Sequence, residues 1–331
     1  MPKWLDEFKP PKPERTVNGN PLYVVKDEND IRLTFFQFKL VRNHDVHSYL
    51  HSLIIKKNIK LCIAVGNCIC RRVLSGSHQL VSVLVTEKLL DEFEDLLSRR
   101  TFLEGIFVCS SDTFRKVVGL KENTRNEVAI LVNFKVAERI YFGLQRPSFP
   151  IFNSSNLLRE RKSIWENNLD CYIDSHVELN RISPPFIILD DIISADNVGL
   201  IARTSFCFGV LDWIVTRRTF ASISTRSLKS SCGALIFLRV HVTDSLIDTI
   251  ETLKANNIEV LATTPSSDQE LKCLNHDKWA LILGNEKEGS SAEILNSASQ
   301  KIKIPQRNGD SLSVSVAAGI CIFELSKTTS L

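Results

Sequence analysis

The sequence predicts an α/β protein in two units: a C-terminal parallel sheet covered on both faces, and a smaller α/β unit ahead of it. Three observations predict this. Apolar runs such as Phe186–Leu189 and Trp279–Leu283 are uninterrupted, as strands buried on both faces must be. Between residues 184 and 331 such runs alternate with helical spacings, the pattern of strands joined by crossover helices. At 331 residues the chain is long enough for two cores, and a Pro-rich, basic stretch at 143–183 separates them.

Residues 1–43 begin Pro- and Lys-rich without a sustained period, and are expected to form an arm, or a strand and a turn laid against the next unit. The small domain is placed at 44–142. His47–Ile54 has helical spacing, Leu61–Val65 is an apolar run, and Leu80–Val85 is a strand from which Thr86 caps the acidic helix Glu87–Leu97. Ile106–Cys109 is the next strand, Ser111 or Asp112 caps the helix after it, and Val128–Val132 closes the unit. The linker 143–183 is expected to hold one helix around Leu157–Leu169.

The C-terminal domain, 184–331, opens with strand Phe186–Leu189, followed by a helix capped by Asp196 and closed by Gly209. Strand Val210–Val215, a loop through Arg217 and Arg218, and a short helix through Ser230–Gly233 come next. Strand Ile236–Val242, helix Asp244–Ala255 and strands Ile258–Thr263 and Trp279–Leu283 follow, then helix Ser291–Ser299 and strand Ile302–Ile304. The last helix runs from an N-cap at Asp310 or Ser311 to Leu325. It is apolar nearly all round (Val314, Val316, Ile320, Phe323), which predicts burial, with a symmetry mate covering what its own sheet leaves open.

Composition is that of a globular protein, 44% hydrophobic and 24% charged, and a net charge of +3 permits a nucleic-acid partner only if the charge is clustered. Nine scattered cysteines include one close pair, Cys68 and Cys70, which fits no zinc spacing, so no metal is expected. They read as reduced thiols of an intracellular protein, cytoplasmic by preference, with nucleus or organelle left open. The first fifteen residues carry Asp6, Glu7 and Glu14 and lack an apolar stretch, unlike a secretory or organelle leader. No run reaches membrane-spanning length.

Ligands of open parallel sheets bind beyond the carboxyl ends of the strands. Three of those ends are unusual: Asp196-Asn197 with Arg203 six residues on, Gly284-Asn285-Glu286-Lys287-Glu288-Gly289, and Gln306–Asp310 feeding Ser311-Leu312-Ser313. None is a dinucleotide or P-loop fingerprint, and no histidine lies at a strand end of this domain to act as base. In this order, with Ser230-Ser-Cys-Gly-Ala-Leu235 between, the three resemble the motifs of the SpoU family of RNA ribose 2′-O-methyltransferases, of the knotted SPOUT class. The likeness covers about residues 184–327. The small domain, through VSVLVTEKLL and GIFVCSSDTFRKVVGL, resembles an L30-type ribosomal protein.

The resemblance implies a trefoil knot, a homodimer, and S-adenosyl-L-methionine held largely by backbone groups around Thr263, Leu283, Gly284, Asn285, Gly289, Ile304, Gln306 and Leu312. It implies catalytic roles for Arg203, Asn197, Glu286, Ser311 and Ser313, on a tRNA or rRNA substrate gripped by Arg71, Arg72, Arg217, Arg218 and Arg226. Arginine stays protonated, so Arg203 is expected to hold a phosphate and steady the alkoxide rather than take the proton. One departure stands out: Ser313 occupies the position where the family usually has asparagine. It keeps open an alternative, an RNA-binding protein that holds the cofactor with little or no turnover. A generic doubly wound enzyme for another nucleotide cofactor is the third reading.

Overall fold

The computed structural model describes residues 12–36, 60–76, 78–120, 126–134, 184–271, 278–307 and 311–327. The expected helices His47–Ile54 and Leu157–Leu169, and the linker, lie outside these residues.

The first unit is a six-stranded mixed sheet. Strands β1 (Arg15–Val17) and β2 (Asn20–Val25) come from the expected arm, so the sheet begins well before residue 44. A short 3-10 turn, Ile31–Phe36, follows. Then come β3 (Lys60–Val65), α1 (Asn67–Ser75), β4 (Gln79–Thr86), α2 (Glu87–Ser98), β5 (Phe102–Cys109), α3 (Ser111–Val118) and β6 (Val128–Phe134). The spatial order is β1-β2-β5-β4-β6-β3, with β2, β5 and β4 parallel and the other pairings antiparallel. Helices α1 and α2 cover one face; α3 and the 3-10 turn cover the other. Two caps differ from expectation. Ser110, not Ser111 or Asp112, caps α3 by accepting from Thr113 N at 3.2 Å. Thr86 stands at the start of α2, but its hydroxyl turns to Glu127 at 3.3 Å and caps nothing.

The second unit contains β7 (Phe186–Leu189), α4 (Ala195–Cys207), β8 (Asp212–Thr216), α5 (Arg217–Ser222), α6 (Thr225–Ser230) and a 3-10 turn, Ala234–Phe237. It continues through β9 (Arg239–Thr243), α7 (Leu246–Ala255), β10 (Glu259–Thr263), β11 (Trp279–Leu283), α8 (Ala292–Ser297), β12 (Gln300–Ile302) and α9 (Val314–Ser326). All six strands are parallel, in the order β12-β10-β11-β7-β8-β9. Helices α7 and α8 pack on one face; α4, α6 and α9 share the other.

Several boundaries move for physical reasons. Ser194, not Asp196, caps α4, because its hydroxyl accepts from Asn197 N at 3.3 Å while Asp196 is drawn to Arg226. Arg217 and Arg218 open a helix rather than a loop, capped by Thr216. The expected strand from Ile236 begins at Arg239, because Ala234–Phe237 turns as a 3-10 helix after Gly233. The strand expected at Ile302–Ile304 pairs two residues earlier, at Gln300–Ile302. Helix α9 starts at Val314, with Ser313 as its N-cap residue in place of Asp310 or Ser311.

The two units share one apolar core. Edge strand β3 lies against α6, and its Ile63 N–H donates to Thr225 Oγ1 at 2.9 Å, which satisfies an outward edge donor. Arg72 on α1 donates to Cys232 O at 2.7 Å, and Ile236 packs on Gly76. The expected full burial of α9 does not hold within one chain. Val316, Ile320 and Phe323, spaced four and three apart, remain 50%, 38% and 49% exposed on one face. Among the described residues no helix is long and apolar enough to cross a membrane.

Candidate functional site

The carboxyl ends of β10, β11 and β7 lie side by side, with β12 beyond β10, so the unusual loops converge on one rim of the sheet. Apolar alternation and burial fix the strands; the loops are polar and free to carry chemistry. Asp190 N donates to Leu283 O at 3.0 Å, extending the β7–β11 ladder by one bond, and Asp191 turns the chain with φ 54°. Asn285 ties the rim together: Nδ2 donates to Asp191 O at 2.7 Å, while Oδ1 accepts from Lys287 N and Glu288 N at 2.9 and 3.3 Å.

Glu286 is the hub. Its Oε1 accepts from Ser194 N at 3.0 Å and Asn197 Nδ2 at 3.2 Å, and Oε2 from Ile193 N at 3.2 Å. The loop after β11 thus grips the start of α4, where free N–H groups and the helix dipole favour negative charge. Partial burial works against the Glu286 carboxylate. The N–H groups of Glu286 itself, Ser194 and Ile193, with the Asn197 amide, outweigh that and hold it below the usual glutamate value. Asp190 goes the other way: burial raises it, and neighbouring Asp191 adds to the rise.

Gly284 is required by contact. A Cβ there would stand 2.3 Å from Ser290 N and 2.6 Å from Gly289 C, so the loop folds directly onto its backbone. Gly289 (φ 69°) closes the turn. Thr263 at the end of β10 donates to Ile282 O at 3.0 Å. Leu283 is fully buried, Ile304 half-buried, and Gln306, Ser311, Leu312 and Ser313 are exposed. Ser313 Oγ meets Ser315 Oγ at 3.0 Å, so it bonds within its own turn rather than across the rim. Leu283 is buried with its carbonyl engaged by Asp190 N, whereas Ile304 is half-buried and Leu312 exposed, so of these apolar residues only the last two are open to a ligand.

Asn197, Glu286, Gly284 and Asn285 are therefore brought together, but Arg203 is not among them. Six residues along α4 it lies about 9 Å further along the axis and on another face. It is exposed, and among the described residues its hydrogen bond is to Cys232 Sγ at 3.6 Å. The phosphate candidates are engaged as well. Arg217 pairs with Asp244, Arg218 with Asp191 at 2.8 Å, and Arg226 with Asp196. Arg71 pairs with Glu92 over the Phe93 ring, and Arg72 serves the seam between the units. Sequence reasoning missed the Asp191–Thr216–Thr219 cluster beneath Arg218 and the thiol beside Arg203. Gly233 just after the helix through Ser230, a residue type that ends helices in left-handed backbone, was the one available signal for the latter.

An all-parallel sheet with its polar loops gathered at the carboxyl ends, tied by a carboxylate to the first helix, defines the class: an open α/β domain whose ligand end is the carboxyl rim of the sheet. The model of the SpoU rRNA Methylase family matches residues 184–323, and the chain belongs to this family. The 23S rRNA (guanosine-2′-O-)-methyltransferase RlmB of Pectobacterium atrosepticum is 30% identical over 169 residues, covering 50% of this chain and 67% of that one. A Bacillus subtilis protein named for the TrmH family of tRNA/rRNA methyltransferases, YacO, is 29% identical over 144 residues, covering 43% of this chain and 58% of that one. The fold extends further than the sequence likeness. An rRNA methyltransferase from Sinorhizobium meliloti superposes with a TM-score of 0.66 at 16% identity, covering 92% of this chain and 96% of the other. The SpoU methyltransferase AviRb from Streptomyces viridochromogenes, solved with AdoMet, gives 0.62 at 17%, covering 90% and 98%.

Proposed function

We propose that this chain methylates the ribose 2′-hydroxyl of an RNA, tRNA or rRNA, using S-adenosyl-L-methionine. The observation that carries the reading is the Glu286 bridge, which joins the loop after β11 to Asn197 at the head of α4 and so couples a cofactor-type rim to a substrate-facing helix. When bound, the cofactor supplies an electrophilic methyl group on a sulfonium; alignment and charge are left to the protein. Gly284, Asn285, Gly289 and Thr263 hold the rim, and Leu283, Ile304, Gln306 and Leu312 are the residues that would contact the cofactor. Arg203 grips a phosphate and steadies the ribose alkoxide, with a phosphate oxygen or water taking the proton. Ser311 and Ser313, exposed ahead of α9, are the hydroxyls assigned to the same step.

The finer features follow the same reading. The exposed stripe Val316, Ile320 and Phe323, with Leu200 on the packed helix α4, supports a two-fold dimer that brings Arg203 to a partner's rim, since its own chain keeps it from Asn197. The fold is read as trefoil-knotted around β11 and α9, and the small domain as ribosomal-protein-like and RNA-capturing, in a reducing, intracellular setting where its cysteines stay free. Transfer of labelled methyl from S-adenosylmethionine to bulk RNA, with ribose-methylation mapping of the product, tests the activity. Cofactor bound without transfer to any RNA favours the non-catalytic RNA-binding alternative; no cofactor bound refutes both. Arg203→Ala should cut turnover a hundredfold or more, about 3 kcal/mol, with cofactor affinity kept.

A further inference from the structure

The turn after α6 joins the two units to Arg203. Ser230 ends the helix, and two successive residues take left-handed backbone, Cys232 (φ 51°) and Gly233 (φ 81°). Glycine does so freely; cysteine needs to be held. Cys232 N donates to Lys229 O and Gly233 N to Leu228 O, both at 2.9 Å, closing the helix end. From across the seam Arg72 Nη1 donates to Cys232 O at 2.7 Å. A Cβ on Gly233 would lie 3.4 Å from Arg72 Cδ and from Ile69 Cγ2, so the turn rests against α1 of the small domain.

The other side of this turn faces α4. A Cβ on Gly199 would stand 2.0 Å from Ser230 Oγ and 2.4 Å from Ser227 O, so α4 and α6 meet backbone to backbone with no side chain to cushion a shift. Arg203 Nη1 lies 3.6 Å from Cys232 Sγ. One guanidinium N–H thus goes to sulfur, and among the described residues the rest of its donor fork meets no hydrogen-bond partner and can take a phosphate.

We propose that Cys232 is a positioning residue for Arg203, and that Arg72 holds it from the small domain, so that seating of that domain sets the guanidinium that meets the RNA. The proposal rests on the reading of Arg203 as the catalytic arginine. A polarizable, weak acceptor orients the fork without neutralising it, as a carboxylate in the same place would. Arg72 then serves alignment, whereas the sequence assigns it to phosphate.

The test uses the full-length protein with bulk RNA and S-adenosylmethionine. Cys232→Gly removes the sulfur while accepting the backbone, so the variant should fold. Its kcat should fall about tenfold, with the RNA KM and cofactor affinity within about twofold of native, the signature of lost alignment. Cys232→Ser, which restores an acceptor, should recover most of the loss. Arg72→Ala should reproduce the fall in kcat, and Arg72→Ala/Cys232→Gly should be no worse than either alone. Independently of turnover, phenylglyoxal modification of Arg203, followed on its peptide by mass spectrometry, should quicken severalfold in both single variants. Native kcat and native Arg203 reactivity in Cys232→Gly, with Arg203→Ala inactive, would overturn the relay and leave the catalytic reading standing. Native turnover in Arg203→Ala would overturn that reading itself. If Arg72→Ala raises only the RNA KM, Arg72 is a plain phosphate contact and the coupling between domains is refuted.

Discussion

Glu286→Ala removes at once the three hydrogen bonds from other residues, those from Ser194 N, Ile193 N and Asn197 Nδ2, together with the bond from its own N–H. Bonds to a charged acceptor contribute about 1.5–3 kcal/mol each when buried. This carboxylate is half-exposed and water can replace part of the set, so about 1 kcal/mol per bond, or 2–3 kcal/mol in all, is the expected loss. Urea denaturation should show it as a lower midpoint with an unchanged slope. Asn197 also loses its tether, so turnover should fall by more than stability alone explains, at full occupancy of cofactor and RNA. Acidity gives a second handle. The folded-state pKa is depressed, so the carboxylate's contribution is complete above the ordinary glutamate value and is lost as pH falls through the folded value below it. Native protein should therefore lose stability relative to Glu286→Gln in that acidic window and nowhere near neutrality. A Glu286→Ala variant within about 0.5 kcal/mol of native, or a Glu286→Gln variant with the native acid dependence, would refute the bracing role.

Gly284→Ala should destabilise by about 1–3 kcal/mol and weaken cofactor binding measured by calorimetry, because its Cβ meets the Ser290 backbone rather than a side chain that can yield. Ser313→Asn should leave stability within about 0.5 kcal/mol, since the Ser313 side chain makes no capping bond that would be lost and asparagine suits the position, and should not lower turnover. Loss of cofactor binding in that variant would mean that the loop has repacked around serine. Phe323→Asp should give monomer in light scattering at micromolar concentration without loss of helical circular dichroism, because the ring is 49% exposed within one chain.

Strands buried on both faces were the most legible part of the chain: Phe186–Leu189 and Trp279–Leu283 stand at the residues their apolar runs predict. Caps were less so, because Ser194-Ala195-Asp196-Asn197 offers three capping side chains in four residues, and Arg226, thirty residues away, decides among them by taking Asp196. The two N-terminal strands were not legible as strands. Asn20–Val25 has little period of its own and is a strand because β5 is beside it. For α9, hydropathy measures the wish to be covered, not what covers it, which is why an all-round apolar helix leaves Phe323 in water. Of the site, the Glu286–Asn197 and Gly284–Gly289 parts follow from motif residues, whereas the seam from Arg72 to Cys232 spans 160 residues and leaves no local trace.

If RNA phosphates meet Arg217, Arg218 and Arg226, as proposed above, the aspartates paired with them have a consequence for how an RNA is chosen. A free surface arginine releases a counterion when phosphate arrives, and affinity falls with salt by roughly 0.7–0.9 log units per log unit for each such contact. Here the incoming phosphate displaces a resident carboxylate instead, so fewer ions are freed and the salt slope should undercount the arginines involved. The displaced Asp191, Asp196 or Asp244 then stands close to the strand as a like charge. A passing polyanion gains little from this rim. A folded RNA that presents phosphates to several of these guanidinium groups together, with its backbone turned away from the aspartates, gains far more. On that reading, discrimination at this surface would be set by the three-dimensional shape of the RNA, before any base or ribose is met.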